Sequence, residues 1–315
     1  MRSSDLAASG PGYAASAMAS GKLPTYALVT PARDEERNLP RLAAAVLRQS
    51  VVPLRWVIVD QGSTDATSSI GGGLAAEHDW IRLVAAPDPG ATERGGPIVR
   101  AFLVGLAHLD VEPDVVVKLD ADVSFERDHF ERLLAEFAAD PALGIASGTC
   151  WEEGGGEWRP QHVTRSHVRG AVRAYRRRCL EDVSPLEERI GWDGIDEIKA
   201  TVRGWRTTSL GGIRFYHHRP LGERERSRVS MWVAQGDMGH YMGYRPSYLV
   251  ARTLFRAVRD PAALAMIWGY ASAAAGRRPR CPDAAARAWL RREQRLRALP
   301  VRALEALGRR EPDHY

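Results

Sequence analysis

Acidic side chains follow three short apolar runs of the sequence, which is where carboxylates could bind a cation or the N–H groups of a nucleobase. The run TYALVT leads into PARDEE, the run LRWVIVD ends at Asp60, and the run DVVVKL is followed by Asp120 and Asp122. Like charges that are brought together raise each other's pKa, so a shared site needs a cation or hydrogen-bond donors. The pattern therefore favours a ligand site over a plain structural turn.

Asp120 and Asp122 form the most specific pair, because they lie two residues apart directly after an apolar run. Both carboxylates can then reach one hard cation, and Mg²⁺ completes its shell with phosphate oxygens and water. Such a cation would neutralise a diphosphate leaving group. A polar turn with a helix-capping Asp is the alternative, and the other acidic ends favour the metal. The expected cofactor is Mg²⁺ or Mn²⁺.

The apolar runs must be strands for these carboxylates to meet. We predict strands over Thr25–Thr30, Leu54–Asp60, Ile81–Ala85 and Asp114–Leu119, separated by stretches with helical periodicity. Continuously apolar strands are typical of a parallel sheet that helices cover on both faces. The alternation predicts an α/β fold, Rossmann-like and doubly wound, with a mostly parallel sheet. In such sheets the ligand lies at the carboxyl ends of the strands.

Composition limits the class of protein. The chain has 315 residues, of which 44% are hydrophobic and 26% charged, with a net charge of +5, so a globular protein with a sizeable core is expected. Its three cysteines (Cys150, Cys179 and Cys281) form no zinc or CxxC pattern, which predicts a cytoplasmic location. Residues 1–24 suggest a disordered leader without signal-peptide character. The longest apolar stretch is shorter than the ~20 residues that span a bilayer.

Five sequence blocks, in order, resemble the family 2 glycosyltransferases with the GT-A fold. The blocks are LVTPARDEERNL, WVIVDQGSTDAT, VVVKLDADVSF, GWDGIDEIKATVRGWRT and YHHRPLG, and the resemblance covers roughly residues 25–219. It implies inverting transfer of a sugar from a nucleoside diphosphate sugar (UDP, GDP or dTDP), with a divalent metal on the diphosphate. The domain predicted from it is residues 25–225.

The resemblance also implies roles for residues of the donor site. Asp60 would accept a hydrogen bond from the base. The family often has a second Asp directly after this one, and Gln61 takes that place here, so the resemblance does not specify which base is bound. Asp122 is the foremost metal ligand, and Asp120 approaches both the ribose and the metal. Arg94 and Arg100 are candidate diphosphate partners, with solvated surface side chains as the alternative. The full nucleotide-sugar set is Pro31, Arg33, Glu35, Asp60, Arg94, Arg100, Asp120, Ala121, Trp192 and Arg219.

The block beginning at Gly191 is expected to serve the acceptor. Inverting transfer needs a carboxylate that takes the proton of the acceptor hydroxyl, and Asp193 is the first candidate, with Asp196 as its rival. Asp193 also suits the N-cap of a helix, a structural role that would hold without activity. Trp192 would form a wall under a sugar or acceptor, unless it is simply buried.

Two histidines follow a predicted strand, Ile213–Tyr216. A neutral imidazole can complete a metal shell, and adjacent strand residues point to opposite faces, so only one of His217 and His218 is expected to do so. Arg219 is a candidate partner of the diphosphate.

Residues 226–315 are predicted to form a C-terminal helical region. Val250, Leu254 and Val258 recur at helical spacing with arginines between them. One interpretation is a peripheral platform on a membrane, at its inner face, that holds a lipid-linked acceptor. The other, slightly favoured, is a layer that packs on the α/β domain or a homodimer contact. No arrangement resembles a nucleic-acid-binding module.

Two other functions are weighed against a transferase. A sugar-1-phosphate nucleotidyltransferase would carry a Gly-rich basic loop after the first strand, whereas this loop is acidic. A non-catalytic GT-A-fold binding protein would have little use for the acidic strand ends. No Gln-x-x-Arg-Trp motif of processive synthases is present, so single-sugar transfer is expected. The acceptor stays open between a lipid-linked carrier, a glycan and a small natural product.

Overall fold

The computed structural model describes residues 22–88, 95–154, 156–161, 167–219 and 227–295. Arg94 lies outside these residues, as do most of the predicted leader and the last twenty residues of the predicted helical region. The strands are β1 (Tyr26–Ala32), β2 (Arg55–Asp60), β3 (Ile81–Ala85), β4 (Val115–Leu119), β5 (Val123–Phe125), β6 (Leu143–Gly154), β7 (Glu157–Pro160), β8 (Val172–Arg176) and β9 (Arg206–His217). The helices are α1 (Leu39–Leu47), α2 (Thr67–Glu77), α3 (Gly96–Ala107), α4 (His129–Ala139), α5 (Arg177–Val183), α6 (Trp192–Val202), α7 (Arg228–Tyr241), α8 (Pro246–Ala257), α9 (Ala265–Ala275) and α10 (Ala284–Glu293), with a 3₁₀ turn at Pro261–Leu264.

The nine strands of the described residues form one sheet in the order β3-β2-β1-β4-β8-β6-β9-β5, and β7 pairs with β6. Strands β3, β2, β1 and β4 are mutually parallel. Strand β8 runs antiparallel between β4 and β6, and β6 and β9 are parallel again. The predicted α/β class is confirmed, with the four-stranded parallel part coming from the N-terminal βα units.

Helices cover both faces of this parallel part, because alternate residues of each strand enter different cores. Tyr26 and Leu28 of β1 join one hydrophobic cluster, and Val29 joins the other, as the two-residue period of a strand requires. All five residues of β4 are buried. Gly105 lets α3 lie close on the sheet, since a Cβ there would collide with the side chain of Val29.

Strand β9 is longer than the sequence predicts. It begins at Arg206 rather than Ile213, and it pairs in parallel with β6 along most of its length. The register shifts between the pairs Gly148–Leu210 and Thr149–Arg214, so a bulge accommodates Gly211 and Gly212. The two glycines therefore lie inside one bulged strand.

The C-terminal helices pack on α6 and on one another. Tyr241, Met242, Leu249 and Met266 share a third hydrophobic cluster with Ile195 of α6. Helices α7 and α9 cross closely where glycines, Gly236 and Gly269, face the partner backbone.

The helical layer packs on α6 of the α/β domain, but three apolar residues of α8 take no part in that packing. Val250, Leu254 and Val258 are exposed, Val258 by 86%, because Leu249 and Thr253 occupy the buried face of the same helix. Leu264, Ile267 and Trp268 are exposed as well. The helices therefore pack through one face and leave a second apolar face uncovered by the described residues.

Candidate active site

The carboxyl ends of β1, β2 and β4 meet at one edge of the sheet. Asp60 is the last residue of β2 and pairs with Ala32 of β1, while Asp120 follows β4 on the other side of β1. The parallel strand order therefore brings the three acidic segments together, as in other open α/β sheets.

Asp60 is buried, and its Oδ1 accepts hydrogen bonds from the backbone N–H of Ser63 at 3.1 Å and from Ser63 Oγ at 2.5 Å. Gln61 is buried beside it and donates from Nε2 to the carbonyl of Pro97 at 3.0 Å. Gln61 thus connects the end of β2 to the start of α3 by a hydrogen bond. An ionised Asp or Glu could not make this bond, because it has no N–H or O–H to donate. Arg33 pairs with Asp88 at 2.8 Å and is half-buried.

Glu35 and Arg219 connect the first strand end with the end of β9. Glu35 is buried, and its Oε2 accepts from Arg219 at 2.6 Å and from Asn38 at 2.8 Å. Burial raises the pKa of Glu35, and the hydrogen bonds and charge of Arg219 only partly oppose it. The same guanidinium lies 3.6 Å from Asp122, so Arg219 joins two of the predicted donor-site segments.

Asp120 and Asp122 have different partners. The ammonium of Lys118, which is buried, donates to Asp120 and to the carbonyl of Gly170 at 2.8 Å. Asp122 faces His217 and Arg219. Burial disfavours the charge of Asp122, but the hydrogen bond and charge of His217 outweigh it and lower the pKa of Asp122. Asp122 therefore stays ionised, and Ala121 between the two carboxylates is buried.

The two histidines point to opposite sides, in line with the strand geometry. His217 Nε2 lies 3.4 Å from Asp122 Oδ1, and its Nδ1 lies 3.5 Å from Glu152 Oε1. Burial lowers the pKa of His217, but the carboxylates around it raise it above the usual value. His218 instead contacts Ser124 Oγ through Nε2 at 2.7 Å, and its backbone N–H donates to the carbonyl of Asp122 at 2.9 Å.

The predicted acceptor end has a different character. Helix α6 begins at Trp192, and its N-cap is Gly191 with φ of +78°, so the N-cap role considered for Asp193 is wrong. A left-handed backbone favours glycine at the cap, which moves Asp193 into the first turn. Trp192 is buried, with Lys118 and Arg173 stacked over its ring at 5.6 and 5.5 Å.

Asp193 and Asp196 differ in access. The side chain of Asp193 is 28% exposed, and its Oδ2 lies 4.0 Å from His167 Nε2. Asp196 is fully buried and accepts a hydrogen bond from the hydroxyl of Tyr175 at 2.6 Å. Burial raises the pKa of Asp196 to about 7. Only Asp193 of the two is open to a substrate.

Sequence reasoning missed a buried polar network behind these residues. Arg173 is fully buried and donates to Glu197 at 3.1 Å, to the carbonyl of Asp193 at 2.8 Å and to Tyr175 at 2.8 Å. Glu197 in turn binds His167 Nδ1 at 3.1 Å, and the charge of Glu197 raises the pKa of His167. An arginine inside the strand VRAYR was the available signal, since buried charges need partners.

Arg100 is on the surface and pairs with Glu188 at 3.3 Å, the solvated alternative that the sequence left open.

Among the described residues, no helix is long and apolar enough to cross a membrane. A parallel sheet with carboxylates at its strand ends is typical of enzymes that bind nucleotides.

The family model for glycosyl transferase family 2 matches residues 27–251, which is more than half of the chain, so the protein belongs to that family. It is 27% identical over 198 residues to an uncharacterised glycosyltransferase of Mycobacterium tuberculosis, across 58% of this chain and 82% of the relative.

Two solved structures share the fold. The mannosyltransferase PcManGT of Pyrobaculum calidifontis, in complex with GDP-Man and Mn²⁺, has a TM-score of 0.54 and 18% identity over 90% of this chain and 85% of that chain. GalNAc-T7 with UDP, GalNAc and Mn²⁺ has a TM-score of 0.52 and 15% identity over 63% and 44%. The fold is GT-A, and the protein is a glycosyltransferase.

Proposed function

We propose that this glycosyltransferase moves a single sugar from a nucleoside diphosphate sugar to an acceptor hydroxyl with inversion, using a divalent cation. The observation that carries the proposal is the convergence of Asp122, His217 and Arg219 at the carboxyl edge of the sheet. Solved GT-A relatives that hold GDP-Man or UDP together with Mn²⁺ support it.

The donor would lie along the strand ends. In this proposal Asp60 accepts from the base, with Pro31, Arg33 and Glu35 around the nucleoside. Hydrogen bonds from Ser63 already hold the side chain of Asp60 in place. The base would therefore bind to it with little loss of side-chain entropy. Arg219 would hold a diphosphate oxygen, and Asp120 and Ala121 would approach the ribose.

The residues present fit a divalent cation with few protein ligands. Among the described residues no three metal-binding side chains are grouped, but Asp122 and His217 lie side by side. Buried His217 Nδ1 and Glu152 Oε1 make no hydrogen bond to the described residues. Asp122 and His217 would hold Mg²⁺ or Mn²⁺, whose other ligands come from the diphosphate and water. The bound cation would neutralise charge on the diphosphate.

Asp193 would act as the base. It accepts the proton of the acceptor hydroxyl, whose oxygen attacks the anomeric carbon from the side opposite the diphosphate. The bond from the anomeric carbon to the phosphate oxygen breaks, and the nucleoside diphosphate leaves with the electron pair. One displacement inverts the configuration. Asp196 would position α6 through Tyr175, without touching the substrate.

The first test is nucleotide binding, measured as the shift in melting temperature with UDP, GDP or dTDP and with Mn²⁺ or Mg²⁺. A ligand that binds only the native state stabilises it in proportion to the logarithm of its concentration. We expect one nucleotide to stabilise the protein when a cation is present, and Asp122→Ala to abolish this shift. Asp79→Ala is the matched control, because it removes an exposed carboxylate that precedes β3, at the opposite end of the parallel strands. A lack of any shift with all three nucleotides contradicts the proposal.

The second test is turnover. Each nucleotide sugar is incubated with the protein and a cation, and released nucleoside diphosphate is measured. The anomeric configuration of the product, read by NMR, decides the stereochemistry. Retention would overturn the inverting mechanism, and polymer products would overturn single-sugar transfer.

The partners beyond the donor stay predictions. Six apolar side chains of α8, α9 and the turn between them are exposed, namely Val250, Leu254, Val258, Leu264, Ile267 and Trp268, here called the apolar face. Their exposure supports a contact with a membrane or with a second copy of the chain. A cytoplasmic protein, bound at the inner face of a membrane if that contact is made, remains the expected location.

A further inference from the structure

A large cavity lies between α6 and the C-terminal helices. Its volume is about 940 Å³, and α6, α7, α8 and α10 all contribute side chains to its lining. This is near the upper end of the range for pockets that enclose a drug-sized molecule, ~300–1,000 Å³. The cavity is thus much larger than one sugar unit requires.

The walls are mostly apolar and adaptable. Helix α7 contributes Met231 and Met238, α8 contributes Phe255, and α10 contributes Trp289 and Leu290. Methionine side chains are flexible and polarisable, so they adjust to ligands of irregular shape. The lining therefore suits a hydrocarbon or aromatic body better than a polar glycan.

The proposed base opens into the same cavity. Asp193 and its neighbour His167 both line it, together with Trp192. An acceptor seated here can therefore present a hydroxyl to the carboxylate of Asp193.

Two arginines place positive charge on the wall of the cavity that α8 forms, whereas the carboxylates of Asp193 and Glu197 lie on the wall that α6 forms. Arg252 and Arg256 lie one turn apart on α8 and both line the cavity. Arg252 donates to the hydroxyl of Tyr244 at 3.1 Å and to Gln235 at 3.3 Å. Within the described part of the chain, no carboxylate forms an ion pair with either guanidinium. Guanidinium groups beside an apolar cavity are suited to a phosphate or carboxylate.

We infer that this cavity binds the acceptor and that the acceptor is an anionic amphiphile. Its apolar body would lie among the methionine and aromatic side chains, its hydroxyl at Asp193, and its phosphate or carboxylate at Arg252 and Arg256. The inference rests on the proposed function, because it takes Asp193 as the group that receives the proton of the acceptor.

Binding of simple amphiphiles to the full chain tests this without any donor. Calorimetric titrations would compare n-dodecyl phosphate, n-dodecanol and n-dodecyltrimethylammonium, the two ionic compounds below their micelle concentrations and the alcohol below its solubility limit. Charge-assisted hydrogen bonds lead us to expect dodecyl phosphate to bind about tenfold or more tightly than dodecanol. Equal affinity for all three head groups, or no binding of any, would overturn the inference.

Two variants separate the head-group contact from the apolar cavity. Arg256→Gln should weaken dodecyl phosphate about tenfold and leave dodecanol unchanged, while Arg259→Gln, which removes a charge just beyond α8 and outside the lining, should change neither. Ala251→Trp should place an indole ring inside the lining, occupy part of the cavity and weaken both. If Arg256→Gln and Arg259→Gln behave alike, or Ala251→Trp has no effect, the binding site lies elsewhere and the inference fails.

The source of the amphiphile is decided by vesicles. Co-sedimentation with phosphatidylglycerol vesicles that Arg256→Gln reduces would assign a membrane lipid, and binding to monomeric dodecyl phosphate alone would assign a soluble acceptor. Nucleotide binding with Mn²⁺, measured on the same samples, separates the two proposals. A nucleotide shift without amphiphile binding refutes only the acceptor class, whereas absence of a nucleotide shift refutes the proposed function itself.

Discussion

The proposed donor site and the proposed acceptor cavity are built in opposite ways. The first, here called the donor edge, is the carboxyl edge of the sheet around Asp60, Asp120 and Asp122. At the donor edge, carboxylates pair with basic side chains across the ends of β1, β2, β4 and β9, as Asp122 does with His217 and Arg219. The cavity is walled by apolar side chains from four helices, and its charges are few. The first arrangement binds charge at a fixed place, since its partners are already oriented. The second supplies volume and leaves the shape of the ligand adjustable.

This difference predicts that substitutions in the two regions should affect different measurements. Changes at the donor edge should remove nucleotide binding, and changes around the cavity should remove transfer while nucleotide binding persists. The predictions below test that separation, beginning with the largest effect.

Asp193→Asn should lower kcat by about 10²–10⁴-fold, because general-base catalysis of this kind contributes that much. The Asn keeps the size of the side chain but accepts no proton. Steady-state transfer kinetics give kcat, and the thermal shift with nucleotide and cation should equal that of the wild type. A loss of nucleotide binding in this variant would mean that the two regions are not separate.

Asp122→Asn should weaken cation-dependent nucleotide binding by about 10–100-fold or more. Removal of a residue that only supports a metal ligand already weakens metal binding by that range, and Asp122 would be a ligand itself. The carboxylate charge is lost while the shape is kept. Titration of nucleotide with and without Mn²⁺ measures the effect. Asp79→Asn is the control, since it removes an exposed carboxylate and leaves the one next to His217 intact. Equal binding by Asp122→Asn and the wild type would exclude Asp122 as a ligand.

Asp196→Asn should change the pH dependence of stability. Burial raises the pKa of Asp196 to about 7 from its usual 3.8, so the native state holds a proton that the unfolded chain has lost between these values. The free energy of unfolding of the wild type therefore falls as pH rises through that window. The Asn variant lacks this loss.

Denaturant titrations at several pH values measure the free energy of unfolding of the wild type and of Asp196→Asn. The variant should gain on the order of 1–3 kcal/mol over the wild type between about pH 5 and pH 8, given ~1.4 kcal/mol for each pKa unit. Its kcat should fall far less than that of Asp193→Asn. Asp79→Asn on the surface is the control. A kcat loss as large as that of Asp193→Asn would make Asp196 the base.

Removing the apolar face should have the smallest effect. Replacing Trp268, which is 69% exposed, and Leu254 by Ser should leave donor hydrolysis and stability within about 0.5 kcal/mol of the wild type, as for most surface changes. Sedimentation velocity and vesicle co-sedimentation then show what the face contacts. Loss of self-association would favour a dimer, and loss of vesicle binding would favour a membrane. A chain that shows neither behaviour before substitution would rule out both.

The parallel half of the sheet could be predicted from the sequence because its signals are local. The strand VVVKL and the run LRWVIVD are mostly apolar, and β4 is indeed buried at every residue. The rule that ligands lie at the carboxyl ends then brings Asp60 and Asp122 to one edge. Strand β9 was predicted short, because the bulge that carries its glycines depends on pairing with β6.

The acceptor side could be predicted only in part. The apolar period of α8 was visible, yet the same spacing fits either a packed or an exposed face, and only the neighbouring helices decide between them. The choice between Asp193 and Asp196 also depended on the tertiary structure, since three residues along a helix separate an open side chain from a fully buried one.

The sequence by itself determined the fold class, the acidic strand ends and the resemblance to family 2. These follow from short-range patterns, in which neighbouring residues carry the whole signal. The tertiary structure decided which histidine faces Asp122, which carboxylate is open to a substrate, and that a cavity exists beside it. Each of these depends on contacts between elements far apart in the chain, such as Arg219 with Glu35, and on a volume that no single segment encloses.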